Sequence, residues 1–384
     1  MINNKFNTKI IVTLGRKYLP KISDFAKNGA NILRINGSHI KSCLHLTNTL
    51  HNIIKKTKKI RCNNIDIMYD TQGPEIRTVI KCNNSKTAFY TIKTNDIIII
   101  HTNLLDKDII FKKKKSKNTI HIGVNYGNFI NDVKINDLIT IENRTLYAKV
   151  ISKDIIKKLV KLKIKSINTD NGTFNLTDRR HINLLGKHVN QPTLTENDKK
   201  YIEKSVLYGV KYYAISFVRE KKDIIDVREL ILSCFKKKYN VKTVSNKIIN
   251  DMKNIKIIAK IETKQGLENI DEIVKEADGA MVARGDLSSE IPEEEVPYAK
   301  EKIIKTCKKY NKFSILATGV LEGFNNRNSA YMNDIDAIVS ALKLGVSSVM
   351  LSNETATSKY CFSAVKELKK HIDFFTKMNS LEKN

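Results

Sequence analysis

Tryptophan is absent from this chain, and proline and glycine are scarce, 5 and 15 in 384 residues. That scarcity excludes collagen-like and Pro/Gly-rich low-complexity classes. No apolar run approaches the roughly 20 residues of a membrane-spanning helix. The opening stretch MINNKFNTKIIV is polar and passes straight into a strand pattern, so no secretory leader is expected and a cytoplasmic location is. The six cysteines (Cys43, Cys62, Cys82, Cys234, Cys307, Cys361) are scattered and form no CxxC pair. That spacing argues against a zinc site or a disulfide framework.

Acidic residues are also short: 40 Asp and Glu face 68 Lys and Arg, for a formal net charge of +28. Taken alone, that charge predicts a polyanion partner. The lysines, however, fall along the whole chain and not in one stripe, and the chain is saturated with Lys, Asn and Ile, as AT-rich coding would give. No nucleic-acid partner and no membrane are therefore expected. Phe111–Asn118 (FKKKKSKN) is the one dense basic cluster and reads as a solvated turn.

What is present is a βα rhythm. Short apolar strands are expected at Ile10–Leu14, Ile32–Ile35, Ile65–Tyr69, Tyr212–Ser216, Ile257–Ile261, Ala280–Ala283, Ser314–Ala317 and Ser348–Leu351. Amphipathic segments such as Ile22–Lys27, Leu267–Glu276, Glu295–Lys309 and Ile335–Leu344 fall between them. That is the count of units that closes a (β/α)8 barrel, an α/β fold. Between Asp70 and Thr195 the rhythm breaks into short β-like runs with no helical pattern, punctuated by turns such as Asn171-Gly172. A small β domain inserted after the third strand is expected there, at residues 79–188, with the barrel at residues 1–78 and 189–384.

Charged residues gather at the expected C-terminal strand ends, where barrels of this kind place their chemistry. Arg34 and Asn36 end the second strand, Asp70 and Thr71 the third, Lys260 and Glu262 the fifth, Arg284 to Asp286 the sixth, and Thr318 the seventh. Two carboxylates and a lysine around a divalent metal and an anion would suit phosphoryl transfer, in which positioning and charge neutralisation do most of the catalysis.

Five motifs, in order, resemble the pyruvate kinase family: NILRINGSH (31–39), DTQGPEIRT (70–78), LTENDKKYIEKSVLYGVKYYAISFVR (194–219), IIAKIETKQGLENIDEIVKEADGAMVARGDLSSEIP (257–292) and VMLSNETA (349–356). The resemblance implies a TIM barrel with a β-barrel lid over the nucleotide. It implies transfer of the phosphoryl group of phosphoenolpyruvate to ADP in glycolysis, with Mg²⁺ (or Mn²⁺) and K⁺ as cofactors. By resemblance, Glu262 and Asp286 hold Mg²⁺, and Lys260, Arg34 and Thr318 are catalytic. Arg34, Lys260, Gly285, Asp286 and Thr318 bind substrate, and Arg77 binds nucleotide. Asn36, Ser38, Asp70 and Thr71 would hold K⁺, and Glu75 is the residue type that accompanies K⁺ dependence.

Relatives usually continue into a regulatory domain after the barrel, whereas this chain stops at Asn384 after the expected eighth helix, Phe362–Lys377. A shortened member lacking that domain is expected, as a monomer or weak homodimer. Departures from the family pattern sit at Arg16, Glu142–Arg144, Ser288, Gly319, Gly323 and Ala330–Asp334, Tyr331 and Met332 included. They leave open an alternative: a weakened or inactive relic that only binds phosphometabolites.

Overall fold

The structure, a computed structural model, describes residues 8–59, 65–80, 89–103, 119–142, 144–186 and 191–381. The basic run at 111–118, Asn143 and His188 lie outside them.

Eight parallel strands close a barrel. They are β1 (Lys9–Thr13), β2 (Ile32–Asn36), β3 (Asp66–Asp70), β4 (Tyr212–Ile215), β5 (Lys256–Ile261), β6 (Gly279–Ala283), β7 (Phe313–Ala317) and β8 (Ser348–Leu351). Each pairs with its sequence neighbours, and β8 returns to β1 through Lys9↔Ser348 to Val12↔Leu351. The strands are nearly all apolar because both faces are covered, as parallel sheets require; GAMVA in β6 is buried throughout.

Period-two alternation explains what fills the barrel. One set of residues, Ile11, Ile32, Met68, Tyr212, Ile258, Met281, Ile315 and Met350, forms a single apolar cluster. Two residues further along, the same rows carry Thr13, Arg34, Asp70, Lys260 and Ala317. The inward rows of β1, β2, β3 and β5 thus change from apolar to polar or charged at their C-terminal ends while Ala317 keeps that of β7 apolar, and that change positions the site.

Helices between the strands follow local signals. Ile22–Lys27 forms as expected, and Val296–Lys309, Met332–Leu344 and Cys361–Leu381 lie close to the expected spans. Glu196–Leu207 starts at a capping box in which Thr195 Oγ1 accepts from the Asp198 amide and Asp198 accepts from the Thr195 amide. The expected Leu267–Glu276 helix is instead two, Lys264–Glu268 and Ile270–Glu276, with the Thr263 side chain capping the first. A short helix, Arg284–Glu290, follows β6 directly.

The second compact unit comprises residues 74–192 with 288–293. Its seven-stranded sheet runs Ile182–Leu184, Leu138–Ile141, Leu146–Asp154, Leu159–Ile167, Ile97–His101, Thr119–Val124, Thr78–Val79. A separate pair, Phe89–Lys93 with Thr173–Thr177, lies beside the Gly172 turn, where φ is 62°. Its own core includes Ile98, Ile100, Phe129, Val150, Leu162 and Ile164. Among the described residues its one helix is the four-residue Phe129–Asp132.

The close approach of β6 and β7 yields a stability prediction. A Cβ on Gly279 would lie 2.2 Å from the Phe313 carbonyl oxygen, a backbone atom that cannot rotate away. Gly279→Ala is expected to cost about 1–3 kcal/mol by overpacking. Urea unfolding checks it: an unchanged midpoint would mean the strands can part there without penalty.

Candidate active site

Asp70 sits at the end of β3, fully buried between two cations. Arg34 Nε donates to its Oδ2 at 2.7 Å, and Lys260 Nζ lies 3.1 Å from its Oδ1. The lysine contact is an ion pair without hydrogen-bond alignment, so Oδ1 keeps acceptor capacity. Arg34 also donates to Thr13 Oγ1 at 3.0 Å. Lys260 Nζ reaches Glu262 Oε1 at 3.0 Å and donates to Ser216 Oγ at 2.7 Å. Glu262 Oε2 accepts from the Phe217 amide at 2.8 Å.

Burial alone would lower the Lys260 pKa, but Asp70 and then Glu262 more than offset it, and the ammonium is held above its ordinary value. For Glu262, burial pushes the carboxyl up, Lys260 pulls it down, and Asp286 pushes it up again; the net direction is up. Glu262 and Asp286 thus act on each other as like charges in a buried setting. A divalent cation would relieve that repulsion, so the pair fits Mg²⁺ or Mn²⁺. Among the described residues no group of three or more His, Cys, Asp and Glu converges as a metal site, so further ligands would come from substrate oxygens or water.

The residues expected to hold K⁺ cluster at the same rim. Asn36 pairs in register with Asp70, and its side chain accepts from the Ser38 amide at 3.1 Å, holding the Gly37–His39 turn. Thr71 locks onto the end of β4: its Oγ1 accepts from the Ser216 amide at 2.9 Å and its carbonyl from Ser216 Oγ at 2.6 Å. The set offers a carboxylate, an amide carbonyl and two hydroxyl oxygens, donors of the kind a hard monovalent ion takes.

Ser216 and Asp198 were missed from sequence. Ser216 links Lys260 to Thr71, and its place as the last residue of the expected fourth strand was the available signal. Asp198 accepts from the Gln72 and Gly73 amides at 2.9 and 3.2 Å, so the cap of one helix also fixes the loop leaving β3.

On the other side of the rim, Thr318 follows β7 with φ 64°, uncommon for a β-branched residue and costing roughly 1–3 kcal/mol. The next residue, Gly319, has φ 65°. Sequence comparison made Gly319 a departure; the backbone supplies a reason for it, since glycine adopts that conformation freely. A side chain there would also begin 2.6 Å from Glu322 Oε1. Gly285 faces Thr318, and a Cβ on it would lie 3.1 Å from the threonine methyl. Burial lowers the Arg284 pKa, and Glu322, Glu354 and Asp334 work against that shift.

Arg77 belongs to the second unit, where its Nε donates to Glu75 Oε2 at 2.7 Å and its Nη1 to the Arg179 carbonyl at 2.6 Å. Glu142 pairs with Arg180 at 3.1 Å, and Arg16 lies 3.5 Å from His45 Nε2. In the Ala330–Asp334 segment, Asp334 accepts from the Gly323 and Tyr331 amides at 3.1 and 2.9 Å, so the altered sequence still starts a capped helix. Tyr331 and Met332 are exposed.

The barrel has counterparts among known proteins. The family model described as the pyruvate kinase barrel domain matches residues 5–365. The chloroplastic pyruvate kinase isozyme G of Nicotiana tabacum is 32% identical over 388 residues, covering 100% of this chain and 61% of that protein. The pyruvate kinase of Borreliella burgdorferi is 32% identical over 361 residues, 94% of this chain and 66% of that one. That of Thermoplasma acidophilum is 32% identical over 371 residues, 96% of this chain and 58% of that one. The chain belongs to the pyruvate kinase family and spans about three fifths of the length of these relatives. No helix among the described residues is long and apolar enough to cross a membrane.

Asp70→Asn tests how far the rim depends on one charge. It removes the anion between Arg34 and Lys260, leaving Arg34 buried without its carboxylate and Lys260 with Glu262 alone, a loss of about 3–5 kcal/mol. Urea unfolding without ligand reads it, and a change below about 1 kcal/mol, the range of an exposed pair, would contradict the reading.

Proposed function

We propose that this chain transfers the phosphoryl group of phosphoenolpyruvate to ADP, giving pyruvate and ATP in glycolysis. The observation that carries this reading is the buried cluster in which Lys260 stands between Asp70 and Glu262 beside Arg34. A permanently charged ammonium next to a guanidinium fork makes a site for an anion whose charge shifts during reaction.

Arg34 binds the phosphate of phosphoenolpyruvate. Lys260 stabilises charge on the transferring phosphoryl group and on the enolate oxygen that it leaves. Glu262 and Asp286 hold Mg²⁺ or Mn²⁺, which neutralises phosphoryl oxygens when bound. Asn36, Ser38, Asp70 and Thr71 hold K⁺. The amides of Gly285 and Asp286, with Thr318, take the substrate carboxylate, and Thr318 stands near the face where the enolate gains a proton at its methylene carbon. The bond from phosphorus to the enol oxygen breaks as the bond to the terminal ADP oxygen forms. Arg77 contributes to nucleotide binding. Residues 79–188 act as a lid that excludes water, on a barrel of residues 1–78 and 189–384. A cytoplasmic monomer or weak homodimer completes the proposal.

The test is pyruvate formation from phosphoenolpyruvate and ADP with Mg²⁺ and K⁺. Lys260→Met is expected to lower turnover by at least about 10²–10³-fold, as loss of a preorganised charge does. Circular dichroism confirms that the variant is folded, since the change leaves Asp70 and Glu262 facing without their cation. Wild-type turnover in a folded Lys260→Met would remove the assignment.

Turnover is also expected to need K⁺, and Glu75→Lys to weaken that need by supplying a fixed charge. Equal rates with and without K⁺ in Tris buffer free of sodium would reject the cation set.

A further inference from the structure

The sequence singles out Arg284, inside MVARGDL, yet nothing in the proposed chemistry uses its side chain. Its surroundings are specific. The β6–β7 ladder ends at Ala283↔Ala317, so the carbonyls that follow on β7 have left the sheet and need other donors. Arg284 supplies them for three successive residues. Its Nε reaches the Ala317 carbonyl at 3.3 Å, and its Nη2 reaches those of Thr318 at 2.5 Å and Gly319 at 2.9 Å. The guanidinium therefore points along the rim and grips the backbone instead of facing the space above the barrel.

The gripped segment is the one with unusual backbone. Thr318 and Gly319 both have positive φ, 64° and 65°. A β-branched residue stays in that region only where its surroundings over-determine it. Three donors in one planar fork are such a constraint, and a lysine, with a single flexible ammonium, cannot reproduce their geometry. On the opposite side, Gly285 leaves room for the Thr318 methyl, so Arg284 and its neighbour together fix the threonine's backbone and its approach.

We infer that Arg284 is a positioning residue: by clamping the Ala317, Thr318 and Gly319 carbonyls it holds Thr318 in a left-handed conformation that aims its hydroxyl at the substrate. This rests on the phosphotransferase reading for the identity of the substrate, but the clamp itself does not.

Two measurements on the whole chain keep the inference separable from that reading. The first is amide hydrogen exchange in wild type and Arg284→Lys. Exchange at Thr318 to Val320 is expected to rise by about tenfold or more while the strands of the barrel stay as protected as before. Unchanged exchange at those amides would overturn the clamp whether or not the chain has activity.

The second is a double-mutant cycle on pyruvate formation. Arg284→Lys is expected to lower kcat by about 100-fold, the scale of a misplaced group, with the KM for phosphoenolpyruvate within about threefold of wild type. In a Thr318→Val background the same change is expected to cost less than about threefold, because the hydroxyl that Arg284 aims is gone. Equal losses in both backgrounds would make Arg284 structural only and overturn the positioning role. Wild-type protein that forms no pyruvate would sink the phosphotransferase reading, and exchange would still decide the clamp.

Discussion

One carboxylate organises the barrel's C-terminal rim. Asp70 ends β3, accepts from Arg34 of β2, and faces Lys260 of β5. The three strand ends are thereby tied by charge where their apolar rows run out. Buried charges are tolerated only when paired and hydrogen-bonded. The same requirement explains why Arg34, Asp70 and Lys260 occur together and hold one another in place. Loss of Asp70 would strip Arg34 of its buried carboxylate and leave Lys260 with Glu262 alone, so fold and site both draw on this one side chain.

A second device holds the other half of the rim. At the ends of β6 and β7, Arg284 grips the backbone leaving β7. Ser216 joins β3, β4 and β5 by donating to Thr71 and accepting from Lys260. This part of the rim is a chain of polar contacts above a packed apolar plug, linking the ends of β1, β2, β3, β4 and β5. Such preorganisation favours chemistry on an anion, because charged groups already held in place need not reorganise as reaction proceeds.

Much of this was legible in sequence. The strands could be drawn because a doubly covered parallel strand reads as a short apolar run, and the charged strand ends stood out against those runs. Lys260 and Glu262 are two apart, which places both on the inward row, as Arg34 and Asn36 are. What could not be read was backbone conformation and side-chain direction. Gly319 looked like erosion until its φ of 65° supplied a reason. Arg284 was noticed, but nothing in a linear sequence says that its guanidinium turns toward three carbonyls. The helix from Arg284 to Glu290 could not be drawn from sequence because RGDLSSE is too short for periodicity to declare itself. Ser216 was passed over as a small polar residue, since its link to Lys260 spans 44 positions.

The central claim is that the buried charges form a binding site and are not only a structural staple. Calorimetric titration of phosphoenolpyruvate into the chain, without nucleotide, tests it most directly. The account predicts saturable binding that needs Mg²⁺ and is weakened at least about tenfold, or 1.4 kcal/mol, in a folded Glu262→Gln variant. Binding that ignores both Mg²⁺ and that substitution would contradict it, and would leave the cluster as a feature of the fold alone.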